Sequence, residues 1–223
     1  MKMNKRLVVC AGLAIAMMAT APQAHAVVVS WTDWISSPNG FSASGTLLVG
    51  STPVNVAYSG TGAHRFVQTG TGRNFWTGTA YTQGTIENPP TPSELVGLFR
   101  GGTVTINFSQ TVQDPFIALA SWNGNRAEFG VPIEFDSVGR GYWGTGTPVL
   151  NSTGTGFFGR GELHGVIRLP GAYDSITFTH TTENWHGFTV GVAGLAKPIP
   201  IPAAVWLFGL GVIGLIGMGT TRK

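Results

Sequence analysis

The sequence predicts an all-β fold for residues 27–196, a two-sheet antiparallel sandwich with jelly-roll-like topology. Its dominant hydrophobic period is two: Val54, Val56 and Tyr58 alternate with polar neighbours, as in a strand with one buried face. The composition, with 33 glycines, 13 prolines and only 10% charged residues, disfavours a disordered chain and a helical bundle. We therefore expect about eight to ten short strands in one domain.

The other predicted strands follow from the same patterns. Residues 115–122 form a continuous apolar run, which is typical of a strand covered on both faces. Ile133 and Phe135 indicate another strand. A body of about 170 residues can bury roughly 70% of its unfolded surface, which is enough for a core without disulfides. The remaining alternating runs are residues 104–108, 176–178 and 188–192.

One short helix is predicted between the strands. Thr91, Pro92 and Glu94 stand where a capping residue, a first-turn proline and a capping-box glutamate belong. The helix would run for one or two turns to about Phe99, and the glycine pair at 101–102 would end it.

Residues 1–26 have the parts of a secretory signal peptide: a basic start, a short apolar stretch, and Ala24 and Ala26 at a small-x-small cleavage site. We therefore expect export through the Sec translocon and cleavage by signal peptidase. Cys10, the only cysteine, would leave with this segment. The mature chain would then contain neither a thiol nor a disulfide.

Residues 197–223 combine a proline motif, an apolar span and a basic end. Residues 203–219 carry no charge over seventeen positions, close to the length of about 20 that a transmembrane helix needs. Arg222 and Lys223 would hold this end in the cytoplasm, which places the body outside the inner membrane. The proline motif, which cannot be helical, comprises Pro198, Ile199, Pro200, Ile201, Pro202 and Ala203.

This segment resembles the PEP-CTERM sorting signal, in the variant written Val-Pro-Leu-Pro-Ala-Ala-Val-Trp-Leu-Phe. Residues 199–208 correspond to it, with isoleucine in place of Val and Leu. The tail holds two basic residues where a cluster is common. The resemblance implies a Gram-negative exported protein that an exosortase, a transpeptidase-like membrane enzyme, cuts near the proline motif. It also implies a place at the cell surface or in the extracellular matrix, with exopolysaccharide or biofilm.

The body resembles a recurrent body type among PEP-CTERM proteins. The resemblance implies one fold and a surface role, and it transfers no catalytic residue. It is carried by residues 31–34, 42–46, 141–144, 164–167 and 185–191.

The charge distribution disfavours a nucleic-acid partner. Five of the 13 basic residues lie at the two ends of the chain, and all 10 acidic residues lie between 27 and 197. The body therefore carries a net charge of about −2, without the basic field that phosphate backbones require.

Candidates for catalysis are few. Glu134 and Asp136 share a strand face and could form a glycosidase pair, or they could simply face solvent. His164, His180 and His186 could hold zinc, or they could be structural. The sequence lacks a GxSxG, HExxH or Walker motif, although a Ser–His–Asp triad stays open because geometry defines it. We predict no catalytic activity, no cofactor and no metal.

The tryptophans of the body are more informative about function than the candidates for catalysis, because aromatic faces beside amides and hydroxyls hold sugar rings in many sandwich modules. Trp143 and Trp185 are the first candidates for a sugar site. Trp122 is a further candidate, with Asn123 and Asn125 for polar contacts; alternatively, these rings fill the core. Residues 74–79 resemble residues 141–147, which we interpret as two similar turns.

Overall fold

The computed structural model describes residues 26–197. The predictions at Ala24, at residues 198–203 and at Arg222 and Lys223 lie outside this part of the chain. None of its helices is long and apolar enough to cross a membrane, and the predicted span at 203–219 also falls outside the described residues.

Two antiparallel sheets make up the body, which confirms the all-β, two-sheet prediction. Strands are numbered β1–β16 in chain order. The smaller sheet has the order β10-β13-β8-β15-β6-β5, and β1 pairs with β15. Its strands are β1 Ser30–Trp31, β5 His64–Thr69, β6 Glu94–Leu98, β8 Phe116–Ala120, β10 Glu134–Val138, β13 Gly165–Arg168 and β15 His186–Val192.

The larger sheet has the order β11-β12-β9-β14-β7-β4-β3-β2, and β16 pairs with β7. Its strands are β2 Asp33–Asn39, β3 Ser42–Val49, β4 Thr52–Gly60, β7 Gly102–Gln113, β9 Arg126–Glu128, β11 Gly146–Leu150, β12 Gly156–Gly161, β14 Ala172–His180 and β16 Gly194–Leu195.

The main core lies between the two sheets. In β4 the buried residues are Val54, Val56 and Tyr58, and their neighbours face solvent. In β8 all five residues are buried, because this strand lies inside the smaller sheet and both of its faces are covered. A strand with apolar residues at every second position is thus covered on one face, and a strand with a continuous apolar run is covered on both faces.

A second apolar layer covers the outer face of the smaller sheet. The connection from β5 to β6, residues 70–93, crosses this face and includes a short 3-10 turn at Thr79–Tyr81. Trp76, Tyr81 and Ile86 from this connection pack against Leu95, Ala118 and Val166 of the sheet. This layer explains why β6 and β8 are buried on both sides.

The predicted helix at 91–99 is wrong. Thr91–Glu94 forms a turn in which the Glu94 N–H donates to the Thr91 carbonyl, and Glu94–Leu98 is strand β6, buried at every position. The Glu94 side chain does not cap its own segment, because its Oε2 accepts a hydrogen bond from the Trp34 N–H at 2.6 Å. Burial between two apolar layers outweighs a local capping pattern.

The strand count is also higher than predicted: the described residues contain sixteen strands. The additional ones are rich in Gly, Ser, Thr and polar residues, as in β2 and β12. Their pairing depends on the neighbouring strands, and apolar alternation does not reveal it.

Candidate functional site

Five aromatic side chains form a continuous strip on the outer side of the smaller sheet, near the end where β6 and β10 finish and β15 begins. Neighbouring ring centroids are 4.7–6.5 Å apart. Four members are half-buried and the fifth, Trp143, is exposed. We call this set the aromatic strip: Phe66, Phe75, Tyr142, Trp143 and Trp185.

Trp143 is the most accessible part of the strip. Its indole stacks on Phe75 with ring centroids 5.2 Å apart and planes 19° apart. The edge contact with Trp185 is at 4.8 Å, and Tyr142 lies at 4.7 Å. These contacts fix the ring, yet 47% of the residue remains exposed to solvent. The strip is therefore a rigid aromatic surface that a flat apolar ring can contact.

A glycine provides the floor of the strip. Gly97 is the last residue but one of β6, with the rings of Phe66 and Trp185 directly over it. A Cβ atom at this position would lie 2.9 Å from Phe66 and 3.0 Å from the Trp185 Nε1. The absence of a side chain allows these two rings to stack against each other, with centroids 6.0 Å apart.

Polar groups border the strip beside Trp143. Glu162 lies next to Gly144, since a Cβ atom there would be 3.8 Å from the Glu162 Cβ. The Glu162 carboxylate accepts hydrogen bonds from the Ser121 hydroxyl at 2.7 Å and the Asn123 Nδ2 at 2.9 Å. Asn123 is exposed, and its side chain is bonded to Glu162.

A second carboxyl group lies beneath the loop that carries Trp185. Burial raises the pKa of Glu183 to about 7, and the neighbouring Glu162 raises it further in the same direction. The Asn125 Nδ2 donates to Glu183 at 2.9 Å. Asn125 is fully buried, so it supports the loop from below.

Sequence reasoning singled out Trp143 and Trp185, and the structure brings them together. It missed Phe66, Phe75 and Tyr142 as partners. A signal was available, because the two similar segments 74–79 and 141–147 contribute Phe75 and Trp143, which stack on each other.

Trp122 must be removed from the predicted sugar-binding residues. Its side chain is fully buried, its Nε1 donates to the Gly187 carbonyl at 2.8 Å, and its ring packs against His186 and Phe157. Trp122 follows the apolar strand β8 and therefore lies in the core rather than in an exposed loop.

The buried histidines are in two places. The His186 Nε2 and the His180 Nδ1 are 2.9 Å apart, whereas the His164 Nδ1 lies 3.0 Å from the Tyr81 hydroxyl and accepts a hydrogen bond from the Ser121 N–H. No group of three metal-ligating side chains converges within residues 26–197.

Glu134 and Asp136 both bind one arginine. The Asp136 Oδ2 lies 2.9 Å from the Arg168 Nε, and Glu134 pairs with the Nη2 of the same guanidinium. The two carboxylates share a face, as their spacing indicates, and both are engaged by this cation.

No protein family, curated protein or solved structure matches this chain.

Proposed function

We propose that this chain is an exported surface or matrix protein, without catalytic activity of its own, whose body binds polysaccharide through the aromatic strip. The observation that carries the proposal is the exposed Trp143, held between Phe75 and Trp185. A pyranose ring has an apolar face of C–H groups and an edge of hydroxyls. The strip offers aromatic surface for the face, with Asn123 and Glu162 nearby for the hydroxyls.

The scaffold suits this role. We propose that the sandwich of this body is jelly-roll-like, and sandwich folds of this kind carry many sugar-binding modules. Exposed aromatic clusters are unusual on a protein surface and mark binding sites, because leaving them in water forgoes the free energy of burial. The strip is fixed by ring-to-ring contacts, so binding would require little ordering of side chains.

The terminal segments support the cellular part of the proposal. The signal-peptide pattern of 1–26 and the PEP-CTERM resemblance of 197–223 together favour export, temporary anchoring in the inner membrane and exosortase processing near Pro202. The body would then be released among the polysaccharides of the envelope or matrix.

Replacing Trp143 by alanine is expected to abolish polysaccharide binding while the body stays folded, because this ring is the exposed member of the strip. The measurement is co-sedimentation with a panel of polysaccharides, which does not depend on the replaced fluorophore, and Trp185→Ala should weaken binding as well. Phe41→Ala removes an aromatic ring that is 51% exposed outside the strip and serves as the control. Undiminished binding by Trp143→Ala would contradict the proposal.

Deleting residues 198–223 is expected to release an unprocessed body into the medium. With the full chain, the intact mass of the matrix form should correspond to residues from 27 to about 202, with or without an added group. Retention of Arg222 and Lys223 in every fraction would show that the tail is a plain anchor and that no exosortase acts on it.

A further inference from the structure

Three arginines each lie over an aromatic ring of the strip or over Phe99 beside it. The Arg73 guanidinium lies over the Tyr142 ring, 5.7 Å from its centroid, and it also bonds the Tyr142 hydroxyl. Arg65 and Arg100 lie over the ring of Phe99, at 5.9 and 5.4 Å. All three arginines are exposed.

Phe99 lies near the loop that carries Trp185. It is the residue directly after the end of β6, and its carbonyl accepts a hydrogen bond from the Glu183 N–H at 3.0 Å. The guanidinium groups therefore lie at Tyr142, a member of the strip, and at Phe99 beside the loop of Trp185.

These arginines lack acidic partners. Within residues 26–197, the ion pairs of an arginine with a carboxylate involve Arg168 alone. A guanidinium that stacks on an aromatic ring keeps its N–H donors free at the edge, where they can bind a carboxylate with two hydrogen bonds. The body as a whole is slightly acidic, and what sets these three arginines apart is that each lies over an aromatic ring of the strip or over Phe99 beside it.

The acidic groups facing this region do not cancel that charge. The Glu162 carboxylate, beside Trp143, is bonded by Ser121 and Asn123. Glu183 lies under the loop, where burial raises its pKa to about 7, so it carries only part of a charge at neutral pH. Three guanidinium groups against these two carboxyls leave the region net positive.

We propose that the ligand of the aromatic strip is an acidic polysaccharide, with uronate or similar carboxylate groups, whose sugar rings stack on Trp143 while its carboxylates bind Arg65, Arg73 and Arg100. This inference rests on the proposed function and specifies its ligand. The cations lie over two different rings, Tyr142 and Phe99, which suits a polymer that carries a charge on successive sugars better than it suits a single anion.

The test compares polymers that differ only in charge. Binding of polygalacturonate and of its methyl ester is measured by fluorescence titration and by co-sedimentation, with alginate and hyaluronate as further acidic polymers and dextran as a neutral one. We expect acidic polymers to bind at least about tenfold more tightly than neutral ones. Binding should weaken with added NaCl, because salt screens exposed charges. Arg73→Gln and Arg100→Gln should each weaken acidic binding by about tenfold.

Arg126→Gln is the matched control, because the Arg126 guanidinium lies over Phe158 at 4.9 Å on strands of the larger sheet. It should bind as the unaltered chain does. Equal, salt-insensitive binding of polygalacturonate and its ester would overturn the acidic assignment and leave the proposed function intact. Binding to none of the polymers would overturn both. Binding only to vesicles of phosphatidylcholine and phosphatidylglycerol would overturn both in favour of a membrane surface.

Discussion

Replacing Trp122 by alanine is expected to lower the free energy of unfolding by about 3–5 kcal/mol. The indole is fully buried and packs against His186 at a centroid distance of 4.7 Å and Phe157 at 5.4 Å. Its removal leaves a cavity, and it also deprives the Gly187 carbonyl of the indole N–H that bonds it. Urea unfolding at neutral pH measures the effect.

The matched variant is Trp143→Ala, because the same substitution on the strip removes ring contacts worth only about 1 kcal/mol. The two tryptophans thus separate stability from binding: one variant should lose stability, and the other should lose the ligand. Similar losses of stability in both would contradict the distinction between a core ring and a surface ring.

Stability is expected to fall as the pH drops below about 6.5, because three buried histidines are held neutral. Burial lowers the pKa of His164 and of His180 to about 4, and that of His186 to about 3. In the unfolded chain these groups bind protons near pH 6.5. Each therefore contributes stability that is present above that pH and lost as the pH falls toward 4.

Two carboxyl groups oppose this loss. Burial raises the pKa of Glu94 and of Glu183 to about 7. Below pH 7 both carboxyls are therefore protonated in the folded state, whereas in the unfolded state they stay ionised down to about pH 4.3. Their contribution is present at low pH and is lost as the pH rises through about 7. Burial lowers the pKa of His64 in the same direction, so more histidines take up protons on unfolding near pH 5.5 than glutamates release them. The free energy of unfolding should thus decline as the pH falls through this range.

Glu94→Gln tests the assignment, since glutamine keeps an oxygen for the Trp34 N–H but does not titrate. The dependence of the free energy of unfolding on pH should become steeper near pH 5.5, because one opposing proton is removed; urea unfolding at closely spaced pH values measures it. A slope unchanged by this substitution would show that Glu94 is already ionised in the folded state.

Sequence patterns predicted the strands in which apolar residues recur at every second position. The alternation of Val54, Val56 and Tyr58 is sufficient, because a strand with one buried face must show period two. The segment at Glu94 was interpreted as a helix, because four residues cannot reveal that a second apolar layer covers the strand. Pairing across the sheet, rather than local preference, determines that structure.

The candidate site was predictable only in part. Loops rich in glycine pointed to Trp143 and Trp185 as binding candidates, but the same reasoning also made Trp122 a candidate, and Trp122 is fully buried. The positions of Phe66 and Phe75 depend on contacts between segments far apart in sequence. The arginines that stack on Tyr142 and Phe99 could not be recognised before those contacts were known.

The most direct test of the central claim, that the aromatic strip is the ligand-binding surface, is a nitrogen–proton correlation spectrum of the body during titration with oligogalacturonate. The indole N–H signals of Trp143 and Trp185 should shift. Those of Trp34 and Trp122, which donate to the Thr189 hydroxyl and the Gly187 carbonyl inside the core, should stay in place. Shifts confined to residues outside the strip would contradict the account.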